Sequence, residues 1–330
     1  MTPSAEYVSR ILKKRCASDP SLASDPARMA RIGRDAMRDP EAYALDDEDR
    51  AFALLQEALK VTRHEIEGYD DAEGDGFGDL QAPQLERSIL ALQRCIDLDG
   101  HCYDARMLQI LAKATDDDEA ITQLVGLEGS ALAWCEDRSR TYDGQVDDLW
   151  DATFMRPYLR IEAKIIDLLT LTCRYRAALQ RSRRMLEKSP ADGQGIRHGT
   201  ALLLARLEDE RGLDELDAAF SRKGSPWMQI ARAMLLYKLE RMDAARRAVV
   251  GLAHLYPAAA YYLANPDVAP LYLPDRPAAA PGSDKECLLA TYEADFLVVD
   301  TPDFVDWAMG VPEFARAVSR YESAHGDDDF

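Results

Sequence analysis

Two stretches of this sequence share one pattern, an Ala early in a helical segment and a Pro twelve residues after it. They are "CRYRAALQRSRRMLEKSP", with Ala178 and Pro190, and "LERMDAARRAVVGLAHLYP", with Ala245 and Pro257. An apolar segment of helical periodicity precedes each stretch. A small residue lets two helices approach closely, and a Pro cannot continue a helix. Each stretch therefore predicts a helical hairpin that ends at its Pro.

Two weaker copies extend the pattern, with Ala120 in "AKATDDDEAITQLVGLEG" and Leu216 in "ERGLDELDAAF" at the small position. A helix-turn-helix unit of about 34 residues resembles the tetratricopeptide repeat. Glu162 and Ile166 stand where that repeat has an aromatic residue and a Gly. The resemblance implies an all-α fold, a tetratricopeptide-like solenoid of helical hairpins with a helical C-terminal cap. The number of repeats stays open between about three and five.

Helical periodicity runs through almost every other segment, and the alternation typical of β-strands is hard to find. The stretch 45–69 predicts a long helix that ends at Gly68, and Asp-Pro pairs at 19, 25 and 39 predict short helices with Pro in the first turn. The predicted organisation is an N-terminal helical extension (1–44), degenerate hairpins with an acidic loop at 70–82 (45–150), tetratricopeptide-like repeats (151–257), a Pro-rich extended connection (258–283), and a C-terminal helical cap with an acidic tail (284–330).

Composition bounds the class of protein. The chain has 330 residues, 47% of them hydrophobic, and a formal net charge of −19. This charge argues against a nucleic-acid partner, because phosphate binding relies on clustered Lys and Arg. We expect neither a membrane span nor a signal peptide, and therefore a cytoplasmic protein. The six cysteines show no C-x-x-C spacing, so we expect reduced, mostly buried thiols.

The negative charge is unevenly distributed. Residues 156–247 hold 19 Lys and Arg against 12 Asp and Glu, between acidic flanks. One interpretation is a set of solvated helix faces. The other is a basic surface that attracts an acidic partner or the acidic tail of the protein itself.

Two motifs resemble ligand-binding loops, one for calcium and one for phosphate, but each lacks a feature that such a loop requires. In "DDAEGDGFGDLQA", Asp71, Glu73, Asp75 and Asp79 match calcium-loop positions, whereas Ala82 stands where a bidentate Glu is needed. "SPADGQGIRHG" (189–199) suggests a phosphate loop, but no strand precedes it. We interpret the first as an acidic loop, and the second as a turn between hairpins with Asp192 as a cap.

A further resemblance rests on two motifs around the 173–190 hairpin. Arg156, Pro157, Tyr158 and Arg160 match an Arg-Pro-Tyr-Met-Arg entry, with Leu159 at the Met position; Asp192, Gln194, Gly195, Ile196 and Arg197 match an Asn-Asp-Asn-Gln-Gly-Val-Arg turn, where Ala191 and Gly193 depart. Both resemble the group of proteins related to suppressor of tumorigenicity 7, over about residues 150–310. The resemblance implies a non-enzymatic helical-repeat interaction protein without a cofactor.

In such arrays the first helix of each repeat lines a groove, and this predicts a partner-binding surface from Arg160 to Tyr237. The candidate partner-binding residues are Arg156, Tyr158, Arg160, Gln194, Arg197, His198, Trp227 and Tyr237. The arginines and His198 suit a carboxylate or an acidic peptide. Alternatively, the arginines pair with acidic residues of neighbouring helices.

No catalytic, metal or cofactor motif appears among the five histidines and the glycine-rich segments. We therefore expect a non-enzymatic scaffold that binds a protein or peptide. Two alternatives remain: a hydrolase or transferase with a site assembled from distant helices, and a structural module that self-assembles. The oligomeric state stays open.

Overall fold

The protein is all-α. The computed structural model describes residues 3–67, 77–222, 224–267, 269 and 276–325, and this part of the chain contains helices, turns and extended connections but no strand. The predicted fold class is confirmed at that level. Among the described residues, no helix is both long and apolar enough to cross a membrane.

The helices divide between two compact units, residues 1–168 with 188–193 and residues 169–187 with 194–330. The first eight helices are α1 (Pro3–Ser18), α2 (Pro26–Arg38), α3 (Pro40–Tyr43), α4 (Asp47–Glu67), α5 (Phe77–Leu98), α6 (Tyr103–Lys113), α7 (Asp117–Tyr142) and α8 (Arg156–Leu171). The unit boundary falls near the end of α8. Short 3-10 turns lie at Pro20–Ser24 and Thr153–Met155.

The remaining helices belong almost entirely to the second unit. They are α9 (Tyr175–Lys188), α10 (Ile196–Arg206), α11 (Glu210–Ala219), α12 (Pro226–Lys238), α13 (Met242–Leu255), α14 (Pro257–Ala264), α15 (Asp284–Glu293), α16 (Asp295–Val299), α17 (Asp303–Met309) and α18 (Pro312–His325). Helix α14 corrects the prediction of an extended connection from 258 onwards. Pro257 ends one helix and begins the next, because a Pro at the first helical position needs no N–H donor.

The Asp-Pro pairs act as predicted. Pro20, Pro26 and Pro40 each begin a helical segment, and the preceding Asp accepts a hydrogen bond from a backbone N–H of the first turn. For Asp25 this bond, from the N–H of Arg28, measures 2.9 Å. A side-chain cap of this kind satisfies a donor that the helix itself leaves unpaired.

Three hairpin turns in the second unit repeat one backbone geometry. Cys173, Glu208 and Glu240 follow α8, α10 and α12, and each has a left-handed φ, of 60°, 60° and 57°. Around Glu240, the N–H of Glu240 donates to the carbonyl of Tyr237 and the N–H of Arg241 donates to that of Leu236. The other two turns form the same pair of bonds. This is the Schellman motif, in which the left-handed residue closes a helix so that the chain can turn back.

Two small residues of the repeat pattern are buried in the second unit. Ala178 and Ala245 are fully buried, and α12 packs along α13. The C-terminal helices then cover this unit, since α15 packs on α12 and α14 while α18 packs on α13 and α14. The predicted C-terminal cap therefore also lies over the first helix of a hairpin.

We expect Glu240→Gly to stabilise the protein by about 0.5–1 kcal/mol, because a left-handed backbone strains every residue that has a Cβ. Glu240 is exposed and has no ion pair among the described residues, so the substitution removes no side-chain contact of that kind. Urea denaturation measures the change. Gln180→Gly, at an exposed position inside α9, should destabilise by about 1 kcal/mol. Equal signs for the two variants would contradict the interpretation.

Candidate functional site

A stripe of charged side chains on α1 is buried in the first unit. Glu6, Arg10 and Lys14 follow one another at four-residue spacing, which places them on one face of the helix. None is more than 3% exposed. Their burial means that each charge needs a partner inside the protein.

Arg160 of α8 supplies the main partner of Glu6. Its guanidinium donates through both terminal nitrogens to the Glu6 carboxylate, and Nη1 also donates to Asp104 Oδ2 at 3.0 Å. Arg156 lies one turn earlier, where Nη1 is 3.6 Å from Glu6 Oε2 and Nε donates to the carbonyl of Trp150 at 3.1 Å. Both arginines are therefore held by acceptors of their own unit.

Lys14 lies among three carboxylates at the start of α4. Its Nζ donates to Asp46 at 2.9 Å, to Glu48 at 3.0 Å and to Asp49 at 2.7 Å. Glu48 also faces Arg138 of α7, whose Nε is 3.3 Å from its Oε2. The α1 charge cluster, as we call it, comprises Glu6, Arg10, Lys14, Asp46, Glu48, Asp49, Asp104, Arg138, Arg156 and Arg160.

The charges of this cluster balance, five carboxylates against five cations. Burial by itself raises the pKa of Glu6, but the charges of Arg160, Arg10 and Arg156 outweigh it and lower the pKa to about 2. Glu6 is consequently ionised in the folded protein. The cluster ties α1 to α4, α6, α7 and α8 by charge-assisted hydrogen bonds and ion pairs.

This arrangement revises the role predicted for three candidate residues. Arg156, Tyr158 and Arg160 are at most 4% exposed, whereas the sequence places them on an open groove. Tyr158 donates to Glu162 at 3.4 Å and accepts from Lys188 Nζ at 3.3 Å. The arginines follow the alternative reading, in which acidic residues of neighbouring helices hold them. The four-residue spacing of Glu6, Arg10 and Lys14 is the sequence signal for this buried stripe, and it is independent of the repeat pattern that predicts the groove.

The "SPADGQGIRHG" stretch forms a turn between α9 and α10, as predicted. In the first unit, Asp148 accepts hydrogen bonds from the Ser189 hydroxyl and, at 2.7 Å, from the N–H of Ala191. A Cβ on Gly193 would lie 2.2 Å from Trp150 Cδ1, so only Gly fits there. Gly195, with φ at +80°, is the N-terminal cap of α10, and not Asp192 as expected.

Arg276 fixes the other side of this turn within the second unit. Its Nη1 donates to the carbonyl oxygens of Gln194 at 3.3 Å and Gly195 at 2.9 Å. The same guanidinium binds Glu293 through Nε at 2.6 Å and Nη2 at 2.9 Å. A Cβ on Gly195 would lie 2.4 Å from Arg276 Nη1. The glycine is therefore needed both for its left-handed φ and for this close approach.

His198 and Trp227 are buried next to each other, and Trp227 shares the Glu293 carboxylate with Arg276. The rings of His198 and Trp227 lie 4.1 Å apart, and Trp227 Nε1 donates to Glu293 Oε2 at 2.8 Å. Burial, together with the charges of Arg276 and Arg197, lowers the pKa of His198 to about 2. His198 is therefore neutral at physiological pH and acts as part of the packing.

The rest of the predicted groove in the second unit is covered by the chain's own helices. Ile230 and Met234 are fully buried, and α15 packs along α12. Tyr237 is half-buried and contacts Phe304 and Trp307 of α17, with ring centroids 5.4 Å and 4.9 Å away. This differs from the open groove that the repeat pattern predicts.

Gln194 and Arg197 complete the predicted set. Gln194 is half-buried, and its backbone carbonyl accepts a hydrogen bond from Arg276 Nη1. The half-buried Arg197 places its guanidinium 5.1 Å from the centre of the Phe220 ring. The eight candidate residues thus fall into two groups, one in each compact unit, and the contacts described for each group are with residues of its own unit.

Helix α9 carries an exposed basic face in the second unit. The stretch Arg174–Lys188 has six basic residues and one acidic residue. Ala178, Leu179, Ser182 and Met185 form its buried face. The opposite face, which we call the α9 basic face, carries Arg176, Gln180, Arg183, Arg184 and Glu187, all exposed.

Two arginines of the α9 basic face lack a carboxylate partner among the described residues. Arg183 forms an ion pair of 3.0 Å with Asp209, whereas no ion pair joins Arg176 or Arg184 to any acidic residue in this part of the chain. An exposed arginine without an intramolecular carboxylate keeps its planar fork available for one on another molecule.

The remaining sequence hypotheses concern metals and thiols. No group of three or more His, Cys, Asp or Glu suited to a metal occurs among the described residues. Of the calcium-loop positions, 71–76 lie outside the described residues and Asp79 follows the start of α5. Four cysteines are buried, and burial raises the pKa of Cys95 to about 11 and of Cys135 to about 12. These thiols stay protonated at neutral pH.

Comparison with known proteins adds no identity. No family model matches the chain, and no curated protein sequence matches it.

We expect Arg160→Ala to lower the free energy of unfolding by about 3–5 kcal/mol, because it leaves Glu6 and Asp104 buried without their main cation. Urea denaturation followed by circular dichroism measures this. The matched control is Lys164→Ala, one turn along α8, which removes an ion pair with the exposed Asp167 and should cost less than about 1 kcal/mol. Similar losses in both variants would contradict the buried role of Arg160.

His198 should make the protein less stable as the pH falls below about 6.5. The unfolded chain binds a proton at His198 near that pH, but the folded protein does not until about pH 2, so acid favours unfolding. Between pH 8 and pH 5 the loss from this residue is about 2 kcal/mol. Thermal unfolding of His198→Gln should show a weaker dependence over this range, and His254→Gln, at an exposed site, should match the wild type.

Proposed function

We propose that this protein is a non-enzymatic scaffold that binds an acidic segment of another protein through the α9 basic face. The carrying observation is that Arg176 and Arg184 are exposed without a carboxylate partner among the described residues, in a chain whose net charge is −19. Other cations of the second unit, such as Arg206, Arg232 and Lys238, are engaged by acidic side chains.

The proposal includes the kind of architecture. We propose a tetratricopeptide-like hairpin array of cytoplasmic location, related to the suppressor of tumorigenicity 7 group. The Schellman turns at Cys173, Glu208 and Glu240 support repeated hairpins, because they recur 35 and 32 residues apart with the same two hydrogen bonds; a fourth turn with this pair of bonds, at Ser221, ends α11. In this proposal the binding surface is on the second helix of a hairpin, since α15 and α17 cover the face of α12.

The test is affinity capture with quantitative mass spectrometry, using the full chain as bait. We expect Arg176→Glu combined with Arg184→Glu to deplete the specifically captured proteins about tenfold, since each reversed charge costs about 0.7 kcal/mol at an exposed site. The matched control is Arg320→Glu, a charge reversal at an exposed arginine of α18.

Retention of every captured protein by the double variant would refute the α9 basic face as the binding surface. Light scattering over a range of concentrations separates this proposal from self-assembly. A concentration-dependent mass for the purified chain, abolished by the same double variant, would make the partner a second copy.

A further inference from the structure

Helix α2, in the first unit, carries a second set of exposed arginines. Its four basic residues, Arg28, Arg31, Arg34 and Arg38, are all arginine and all exposed. Its other side holds Ile32, Gly33 and Ala36 buried, and α2 packs against α1. The packed side fixes the helix, so the arginines are presented on a rigid support.

Among the described residues of the first unit, a carboxylate forms an ion pair with only one of these arginines. Arg28 pairs with Asp19 at 3.1 Å, while no ion pair joins Arg31, Arg34 or Arg38 to an acidic residue within the described part of the chain.

The acidic residues that flank these three arginines in sequence are engaged by other groups. Asp25 caps α2, Asp39 caps α3, and Asp35 accepts a hydrogen bond of 3.2 Å from the Tyr43 hydroxyl. These three carboxylates keep their charge, because their hydrogen-bond donors are neutral, but none of them forms an ion pair with Arg31, Arg34 or Arg38.

Their spacing defines the shape of a complementary ligand. Positions 31, 34 and 38 are three and four residues apart, which places them along one side of the helix over about 10 Å. A guanidinium binds a carboxylate through two parallel hydrogen bonds. A partner helix with Glu or Asp at the same three- and four-residue spacing presents carboxylates at matching intervals.

We propose that the α2 stripe of Arg31, Arg34 and Arg38 binds an acidic helix of a partner protein. A nucleic acid would extend beyond the stripe, where the protein's net charge of −19 repels phosphate. The stripe is flanked by only one large exposed apolar side chain, Met37 at 58%, so it offers little area to insert into a lipid surface. A short acidic helix satisfies the stripe without meeting either obstacle.

The test uses the full-length protein and an alanine-rich helical peptide with Glu at positions i, i+3 and i+7, followed by fluorescence anisotropy at low salt. We expect the wild type to bind, and Arg31→Gln with Arg34→Gln and Arg38→Gln to raise the Kd about tenfold, since each exposed pair contributes about 0.5 kcal/mol. Arg28→Gln is the matched control on the same helix and should change the Kd less than about twofold, because Asp19 already neutralises Arg28.

Three results would overturn the proposal: no binding by the wild type, equal binding by the triple variant, or tighter binding of phosphatidylserine vesicles or a single-stranded oligonucleotide than of the peptide. A peptide with Gln in place of each Glu checks that charge drives the association. Thermal unfolding of the triple variant should match the wild type, since all three side chains are exposed. Neither outcome depends on the α9 basic face, so each proposal fails or survives separately.

Discussion

The first unit depends on the burial of α1 through paired charge. Glu6, Arg10 and Lys14 point into the protein, and each would oppose folding if it entered alone, because an unpaired buried charge costs several kcal/mol. Arg160 offsets this cost by pairing with both Glu6 and Asp104, which completes the α1 charge cluster. An apolar contact tolerates small shifts, whereas a guanidinium fork between two carboxylates requires one register. The cluster therefore specifies where α1 lies as well as contributing to its stability.

The sequence predicted the second unit better than the first for a physical reason. Helical hairpins arise from short-range rules, since Ala178 and Ala245 allow close packing and Pro190 and Pro257 end a helical stretch, and these rules are readable along the chain. The pairing of Glu6 with Arg160 joins residues 154 positions apart. Sequence periodicity marks the charged stripe on α1, but it does not reveal which distant residues neutralise it.

The same limit explains the candidate groove. The repeat pattern predicts that Trp227 and Tyr237 lie on one side of α12, but an open groove requires that nothing else cover that side. The Glu293 carboxylate of α15 accepts hydrogen bonds from both Arg276 and Trp227 Nε1, and the bond to Trp227 joins α15 to α12. Such contacts depend on how the chain returns after α14. The sequence after α14 predicts a connection, but it does not predict that α15 packs on α12.

The arginines of this protein fall into two classes: those held by partners inside the protein, and exposed ones that form no ion pair among the described residues. Arginines such as Arg156, Arg160 and Arg276 pack on aromatic rings or share carboxylates, and a ligand would have to break those contacts to reach them. Exposed ion pairs contribute little to folding, so the charges of the unpaired arginines on α2 and α9 add little to stability. In both proposals, arginine without an ion-paired carboxylate would raise the local potential in an otherwise acidic protein and would steer acidic partners toward those helices. Binding at these two faces would leave the α1 charge cluster and the Arg276 contacts undisturbed, because α2 and α9 each bury the opposite side of the helix.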